Sequence, residues 1–551
     1  MQVTEALTLV LRAEQALIDR DWEAARAGFE AALATAKTPE GYDGLGKALW
    51  WQGDVDGSIA HRERAYTLFR KRGEVEKAIR VALWLAREYA EAVGNDPASS
   101  GWLARAQGLV QDQPGSERGW FAVTRGRLAV DPASAVSDAE AAVEAARASR
   151  DPDLEATALA LLGLARVAGG EVDRGMVHLD EAMVVVTGGE VEDPLVFGDV
   201  CCLVTRAIEE AGDISRLQRW NEVVMAFMMR TGHAPLLEFC GTCCAELLAA
   251  NGKLEEAEGW LVRTLRDLEA TGHRARCVHP AAKLAELRVL QGRLEEADRL
   301  LTQFEDRPDA LRATAAVHLA KGETALAAAL LLRRLGQLGD GLLAIPLLAL
   351  LVEVQLKQGN LDAQGTADRL DVIAARSDGI RSQATADLAS GTAAAAAGLV
   401  AVARVRLETA TARFDRLGMP IEAGRARLGL ASVLSPTEPE LAIHEARLAL
   451  DAFDQAGAVA LSDQAARLLR DLGGPARTGP KAMKLLTKRE LEVLLVLGEG
   501  LTNAEIASRL YISTKTAGHH VSNILLKLHL RSRTEAAALA LRYSGQNPAQ
   551  Q

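Results

Sequence analysis

Two segments, Gly252-Lys-Leu-Glu-Glu-Ala257-Glu-x-x-Leu261 and Gly292-Arg-Leu-Glu-Glu-Ala297-Asp-x-x-Leu301, repeat one another forty residues apart. A period of that length marks a supersecondary unit copied along a chain, and such a unit buries its apolar face only by stacking on its neighbours. The underlying spacing, small-x3-large-x2-small, recurs at Ala25/Phe29/Ala32, Gly175/Leu179/Ala182 and Ala403/Leu407/Ala410. Steps of four and three put these residues on one helix face. The small ones let a second helix approach and the large one fills its groove. Each copy follows a Gly- or Asp-containing turn and another amphipathic stretch, so the unit is a helix pair. One copy departs: at Ser58/Arg62/Ala65 an arginine takes the large apolar place.

This pattern resembles the tetratricopeptide repeat in a degenerate form with an irregular period. Only 4% of residues are aromatic while Ala and Leu abound, which favours helices over sheets. No segment alternates strands with helices, which argues against a phosphoacceptor receiver domain. The expected fold class is all-α: a tetratricopeptide-like α-solenoid over residues 1–472, then a small four-helix domain. A solenoid has no active site of its own, but its long face suits a peptide, a partner domain or a small effector. The alternative is a spacer or oligomerisation platform.

At 551 residues the chain is too long for one core, and its charge is divided. Residues 481–551 carry ten Lys/Arg against five Asp/Glu, whereas the first 480 carry 53 against 69. A basic end on an acidic body suits a polyanionic partner for the end alone. Breaker-rich Asp471-Leu-Gly-Gly-Pro-Ala-Arg-Thr-Gly-Pro480 sets a linker at 473–483, before a domain at 484–543 and a flexible tail at 544–551.

Within that domain, Thr487-x-x-Glu490, Thr502-x-x-Glu505 and Ser532-x-x-Glu535 each match a capping box, and Ser513 offers a fourth cap. These starts predict helices at about 488–498, 503–510, 514–528 and 533–543. Only Tyr511, Ile512 and Ser513 separate the second from the third, the turn length of a helix-turn-helix. Ala517, Val521, Ile524 and Leu528 form the buried stripe of the third helix. Thr514, Lys515, Gly518, His519 and Ser522 fall opposite, a short polar and basic face suited to the major groove of duplex DNA.

Leu486-Thr-Lys-Arg-Glu-Leu-Glu-Val-Leu, Gly500-Leu-Thr-Asn-Ala-Glu-Ile-Ala, Ile512-Ser-x-Lys-Thr and His520-Val-x-Asn-Ile-x-x-Lys-Leu528 resemble the LuxR-type helix-turn-helix, the NarL/FixJ output domain. Phe414-Asp-Arg-Leu-Gly-Met-Pro-Ile-Glu-Ala-Gly-Arg-Ala-Arg-Leu is similar to bacterial LuxR-family regulators with helical-repeat sensors. The resemblance implies a transcription regulator whose third helix reads bases and whose fourth pairs two domains. Its base-reading positions fall on Gly518, His519 and Ser522. Gly518 departs from the longer polar residue common there, and His529 replaces a glycine.

The candidate DNA-binding residues are Thr502, Asn503, Ser513, Thr514, Lys515, Thr516, Gly518, His519, His520, Ser522, Asn523 and Lys527. His519 faces DNA in this reading. His520, about 100° round the helix, lies at its flank near phosphate. Lys527 either contacts phosphate or covers the domain surface. The expected partners are double-stranded DNA, a second copy through the fourth helix, RNA polymerase, and an effector of the repeat region.

Other motifs point away from catalysis, cofactors and metals. Gly41-Tyr-Asp-Gly-Leu-Gly46-Lys47-Ala48 has phosphate-loop spacing, but Ala48 has no oxygen for magnesium and no Val/Ile-rich strand precedes it. Gly474–Lys481 is a second near-miss, with an extra proline. The nucleotide-hydrolysing alternative rests on the first. A repeat scaffold that binds protein in place of DNA is the other rival. Cysteines stand at 201, 202, 240, 243, 244 and 277. Cys240-x-x-Cys243 with Cys277-Val-His279 has the residue types of a metal cluster, but the pair sits one turn apart on a predicted helix and reads as packing. The first residues lack a signal pattern, and the longest apolar runs, near Leu342–Val352 and Ala393–Ala403, fall short of the ~20 residues of a membrane span. A soluble cytoplasmic protein is expected.

Overall fold

The computed structural model describes residues 2–540 apart from 112–114, 130, 192, 232–236, 271–272, 306, 361, 378, 474–485, 529–531 and 538–539. Among the described residues there are helices and no strand. Two compact units form, Met1–Ala423 and Gly424–Gln551. The expected linker, the second near-miss at Gly474–Lys481 and the tail lie almost wholly outside the described residues.

In the first unit consecutive helices pack pairwise, as with Gln2–Ile18 on Trp22–Thr35 and Pro39–Trp51 on Val55–Arg72. The repeat spacing does what its periodicity implies. Ala25, Phe29 and Ala32, Leu179 and Ala182, Ala257 and Leu261, Ala297 and Leu301, and Ala403, Leu407 and Ala410 are all buried. Gly252 and Gly292, which open the two matching segments, are left-handed at φ 76° and 78°, so each repeat begins on the turn that ends the previous helix.

The phosphate-loop spacing lies inside one helix, Pro39–Trp51, and the nucleotide-hydrolysing alternative is thereby corrected. A Cβ on Gly44 would come within 2.2 Å of the Phe29 ring, and one on Gly46 within 2.5 Å of Arg62 Cγ. These glycines are small because neighbouring helices need the space, not because phosphate does. Lys47 pairs with Asp43 at 3.0 Å.

The gap at Gly46 also explains the odd repeat. Arg62 is buried, donates Nε to Asp43 Oδ1 at 2.9 Å and lies 4.0 Å from the centre of a Trp84 ring. Burial works to raise the Asp43 carboxyl, but Lys47 and Arg62 outweigh it and hold it far below the usual carboxylate range. An arginine thus occupies an apolar position by bringing its own counter-ion and an aromatic face.

Charges also join helices distant in sequence within this unit. Arg87 pairs with Asp199, Arg127 with Glu91 and, at 3.6 Å, Asp199, and Arg276 with Glu88 at 3.5 Å and Glu91 at 3.7 Å. Arg381 donates to the Glu209 carbonyl at 3.2 Å. Ionic groups thus form a seam between helices far apart in sequence within this unit.

The described cysteines form no disulfide. Burial raises the thiols of Cys201, Cys243, Cys244 and Cys277, the last to about 11, which keeps them protonated and poor as nucleophiles or ligands. The Cys240 side chain lies outside the described residues. A ligand-like group does gather at Glu209, Glu246 and His279, but Lys283 pairs with both carboxylates and fills it.

In the second unit Phe453 is fully buried, and a Cβ on Gly424 would meet its ring at 2.7 Å. The terminal helices are Lys488–Gly498, Asn503–Leu510 and Thr514–Lys527, and residues 533–537 are helical. They share a core of Leu486, Val493, Leu494, Leu497, Ile506, Ala517, Val521, Ile524, Leu528 and Ala536. All four residues of the anticipated stripe are in it. The third helix stops at Lys527, and Leu528 makes its turn.

Candidate nucleic-acid interface

Local hydrogen bonds fix where each terminal helix begins. The Thr487 hydroxyl accepts from the Glu490 amide at 3.3 Å, while the Glu490 carboxylate accepts from the Thr487 amide at 2.8 Å. Thr502 and Glu505 repeat the arrangement at 3.4 and 2.6 Å. Ser513 caps the third helix, accepting from the Thr516 amide at 3.0 Å, and Ser532 accepts from the Glu535 amide at 3.2 Å. Such caps satisfy amides that the helix itself leaves open.

The turn between the second and third helices rests on Tyr511. Its backbone is left-handed at φ 54° and its side chain is 96% exposed. That conformation reverses the chain after Leu510, and the Ile512 amide then donates to the Ala507 carbonyl at 3.0 Å. No glycine or asparagine advertises this position in the sequence.

With the stripe buried, the third helix turns its other side outward. Thr514, Lys515, Thr516, His519, Ser522 and Asn523 are exposed, and Gly518 and His520 are half-buried. Lys515 makes no ion pair among the described residues, so its charge is available to a polyanion. Thr502 and Asn503, at the start of the second helix, stand beside this face, since a Cβ on Gly518 would lie 3.5 Å from Asn503 Nδ2.

Lys527 has a partner within the domain. Its ammonium donates to Glu490 Oε2 at 2.6 Å, tying the end of the third helix to the start of the first. Burial acts to raise the Glu490 carboxyl, but Lys527 and the Thr487 amide and hydroxyl prevail and lower it. Sequence reasoning missed two residues that shape the site, Arg489 and Arg533, and a second role of the capping Glu490. Glu490 anchors Lys527. Arg489 donates to the Leu510 carbonyl beside the turn. Arg533 donates to Asn503 Oδ1 at 2.7 Å and to the Leu501 carbonyl. All three are contacts between helices, which spacing along one helix does not reveal.

Fold and site together define a compact helix-turn-helix domain at the end of a helical-repeat array. Residues 484–540 match the family described as bacterial regulatory proteins, luxR family. Over 64 residues the chain is 53% identical to the transcriptional regulatory protein LnrK of Bacillus subtilis (strain 168), 12% of this chain and 29% of that protein. Over 57 residues it is 53% identical to the transcriptional regulatory protein LiaR of the same organism, 10% of this chain and 27% of that one. The chain thus spans less than a third of the length of the curated relatives it matches. The C-terminal segment is a LuxR-type domain homologous to theirs. Among solved structures, the APC/C hetero-tetramer Cut9-Hcn1 aligns over 97% of this chain and 96% of its own at 14% identity, with a TM-score of 0.39, too loose to carry an argument.

Proposed function

We propose that this chain is a DNA-binding transcription regulator whose third C-terminal helix enters the major groove. One observation carries the reading: within a LuxR-type domain, the face of Thr514, Lys515, His519 and Ser522 is exposed, short and polar, while Ala517, Val521 and Ile524 seal the opposite side. A groove-entering helix needs that division, because large apolar groups would block the approach to base edges. Ser513, Thr514, Thr516 and Thr502 then meet phosphates at helix starts, where amides and the helix dipole favour anions.

The functional parts are a repeat region over 1–472, a linker at 473–483, the domain at 484–543 and a tail. One such module buries only about 600–1,000 Å² on DNA, so useful affinity calls for two copies on half-sites about one helical turn apart. Pairing through the fourth helix serves this geometry. The repeat region receives an effector or partner and governs how the domains are presented to DNA and RNA polymerase, in the cytoplasm. No described helix is long and apolar enough to cross a membrane.

The test is a salt titration of the full chain on mixed-sequence duplex DNA. Affinity falling steeply with salt, by about 0.9 log units per log unit of salt for each phosphate neutralised, supports the reading. Absence of binding at low salt overturns it in favour of a protein-binding scaffold. Genome-wide mapping of bound sites then yields the operator and its half-site spacing.

A further inference from the structure

The first side chain of the second terminal helix is gripped from outside that helix. Arg533 gives Nη1 to Asn503 Oδ1 at 2.7 Å and Nη2 to the Leu501 carbonyl. A guanidinium has donors only, so the Asn503 atom it meets is the oxygen, and the amide nitrogen is turned away from it. That nitrogen lies 3.5 Å from where a Cβ of residue 518 would stand. Residue 518 is glycine, so no side chain stands at that point to cover the donor.

We propose that Asn503 Nδ2 donates to a phosphodiester oxygen of DNA beside Gly518, with Arg533 as the residue that positions it. This rests on the DNA-binding reading and refines it. Asparagine reads adenine through its oxygen and nitrogen together. Here Arg533 already holds the oxygen, so the two-point contact is closed and a single donor remains. A lone neutral donor matches a phosphate oxygen, whose acceptor character is the same at every base pair. Asn503 therefore sets how the third helix sits on the duplex, while His519 and Ser522 are left to discriminate sequence. Gly518 serves by leaving the donor uncovered.

The experiment uses the full chain with two short duplexes of equal length, one alternating A·T and one alternating G·C, at a single salt concentration. Asn503→Ala is expected to weaken binding to both by the same factor, about tenfold or more. Arg533→Met is expected to lose a similar factor, and the double variant no more than the larger single loss, because the two residues act as one contact. Asn503→Asp would repel phosphate whatever the donor does, so thermal melting of the Asn503→Ala and Arg533→Met chains, not a charged variant, shows that any loss of affinity belongs to folded protein. Variants binding both duplexes as the wild type does would overturn the inference while leaving the DNA-binding reading standing. A loss confined to one duplex overturns it in favour of base contact. Wild-type protein binding neither duplex at low salt overturns both.

Discussion

Lys527 donates to Glu490 across 2.6 Å, so the lysine that closes the third terminal helix is bound to the carboxylate that caps the first. Glu490 is 4% exposed and Lys527 38%. A carboxylate that buried requires its partners, and removing one leaves it under-compensated. Lys527→Met is therefore expected to destabilise the terminal domain by about 1–3 kcal/mol, discounted for the half-open lysine. The salt dependence of DNA binding is expected to stay as in the wild type. Denaturant unfolding and a salt titration check the two halves; a reduced salt slope would return Lys527 to the DNA contacts.

Lys515 should behave in the opposite way. It is exposed and makes no ion pair among the described residues. Replacement by methionine removes no internal contact, so stability is expected to stay within about 0.5 kcal/mol. If the ammonium neutralises one phosphate, the slope of log affinity against log salt drops by about one. Unchanged slope and affinity would place Lys515 off the duplex.

The carboxylates of both capping boxes give the domain an acid limb. Thr502's amide and hydroxyl lower Glu505, and Lys527 with Thr487 overcomes burial to lower Glu490, each from an ordinary 4.5. A carboxyl lowered in the folded state stabilises fully above its unfolded value, and that contribution is lost as pH falls through the lowered one. Thermal stability of the domain is thus expected to be level above about 4.5 and to decline below it. Glu490→Gln should lower the plateau and flatten the decline. An acid limb as steep in the glutamine variant as in the wild type would show that Glu490 does not supply it.

Features that lie within one helix or one turn were legible in the sequence. Ala25/Phe29/Ala32 and Ala517/Val521/Ile524 are spacings, and Thr487, Thr502 and Ser513 are caps; none of these needs knowledge of the neighbouring helix. What spacing hides is register between helices. Arg533 meets Asn503 thirty residues away and Lys527 meets Glu490 thirty-seven away. Nothing local separates these cations from Lys515, so spacing alone leaves Lys527 between a phosphate contact and a cover of the domain surface. Arg62 looked like a flaw in the repeat because Asp43, Gly46 and Trp84, which accommodate it, lie on other helices. Tyr511 gave no sign of its left-handed turn, since its residue type argues against one.

Gly44 offers a direct test of why the phosphate-loop spacing exists. A methyl there would stand 2.2 Å from the Phe29 ring, between two helices that pack against each other. Phe29 is fully buried and has little room to move. Gly44→Ala is expected to cost about 1–3 kcal/mol by overpacking, despite alanine's better helix propensity. Lys47→Ala removes a half-exposed lysine paired with Asp43, which keeps Arg62, and is expected to cost less than about 1 kcal/mol. Comparing the two variants by thermal melting decides the matter: a stable Gly44→Ala chain would mean the helices are not held at this distance.

Asp199 is the point on the ionic seam where one carboxylate serves two arginines, Arg87 and Arg127. All three side chains are less than one-fifth exposed. Burial works to raise the Asp199 carboxyl, and Arg87, Arg127 and Arg276 together overturn that and lower it, so the group stays ionised. Asp199→Asn keeps the shape and removes the charge, leaving Arg87 with only the more distant Glu88 at 3.8 Å while Arg127 keeps Glu91, in a region water scarcely reaches. The expected cost is about 3–5 kcal/mol. Because the array is not one cooperative unit, the loss should appear locally, as faster amide hydrogen exchange in Val75–Glu88, Ser116–Leu128 and Pro194–Ala211 with the terminal domain unchanged. Protection equal to the wild type in those three helices would mean that packing holds them together and the seam's charges merely line it.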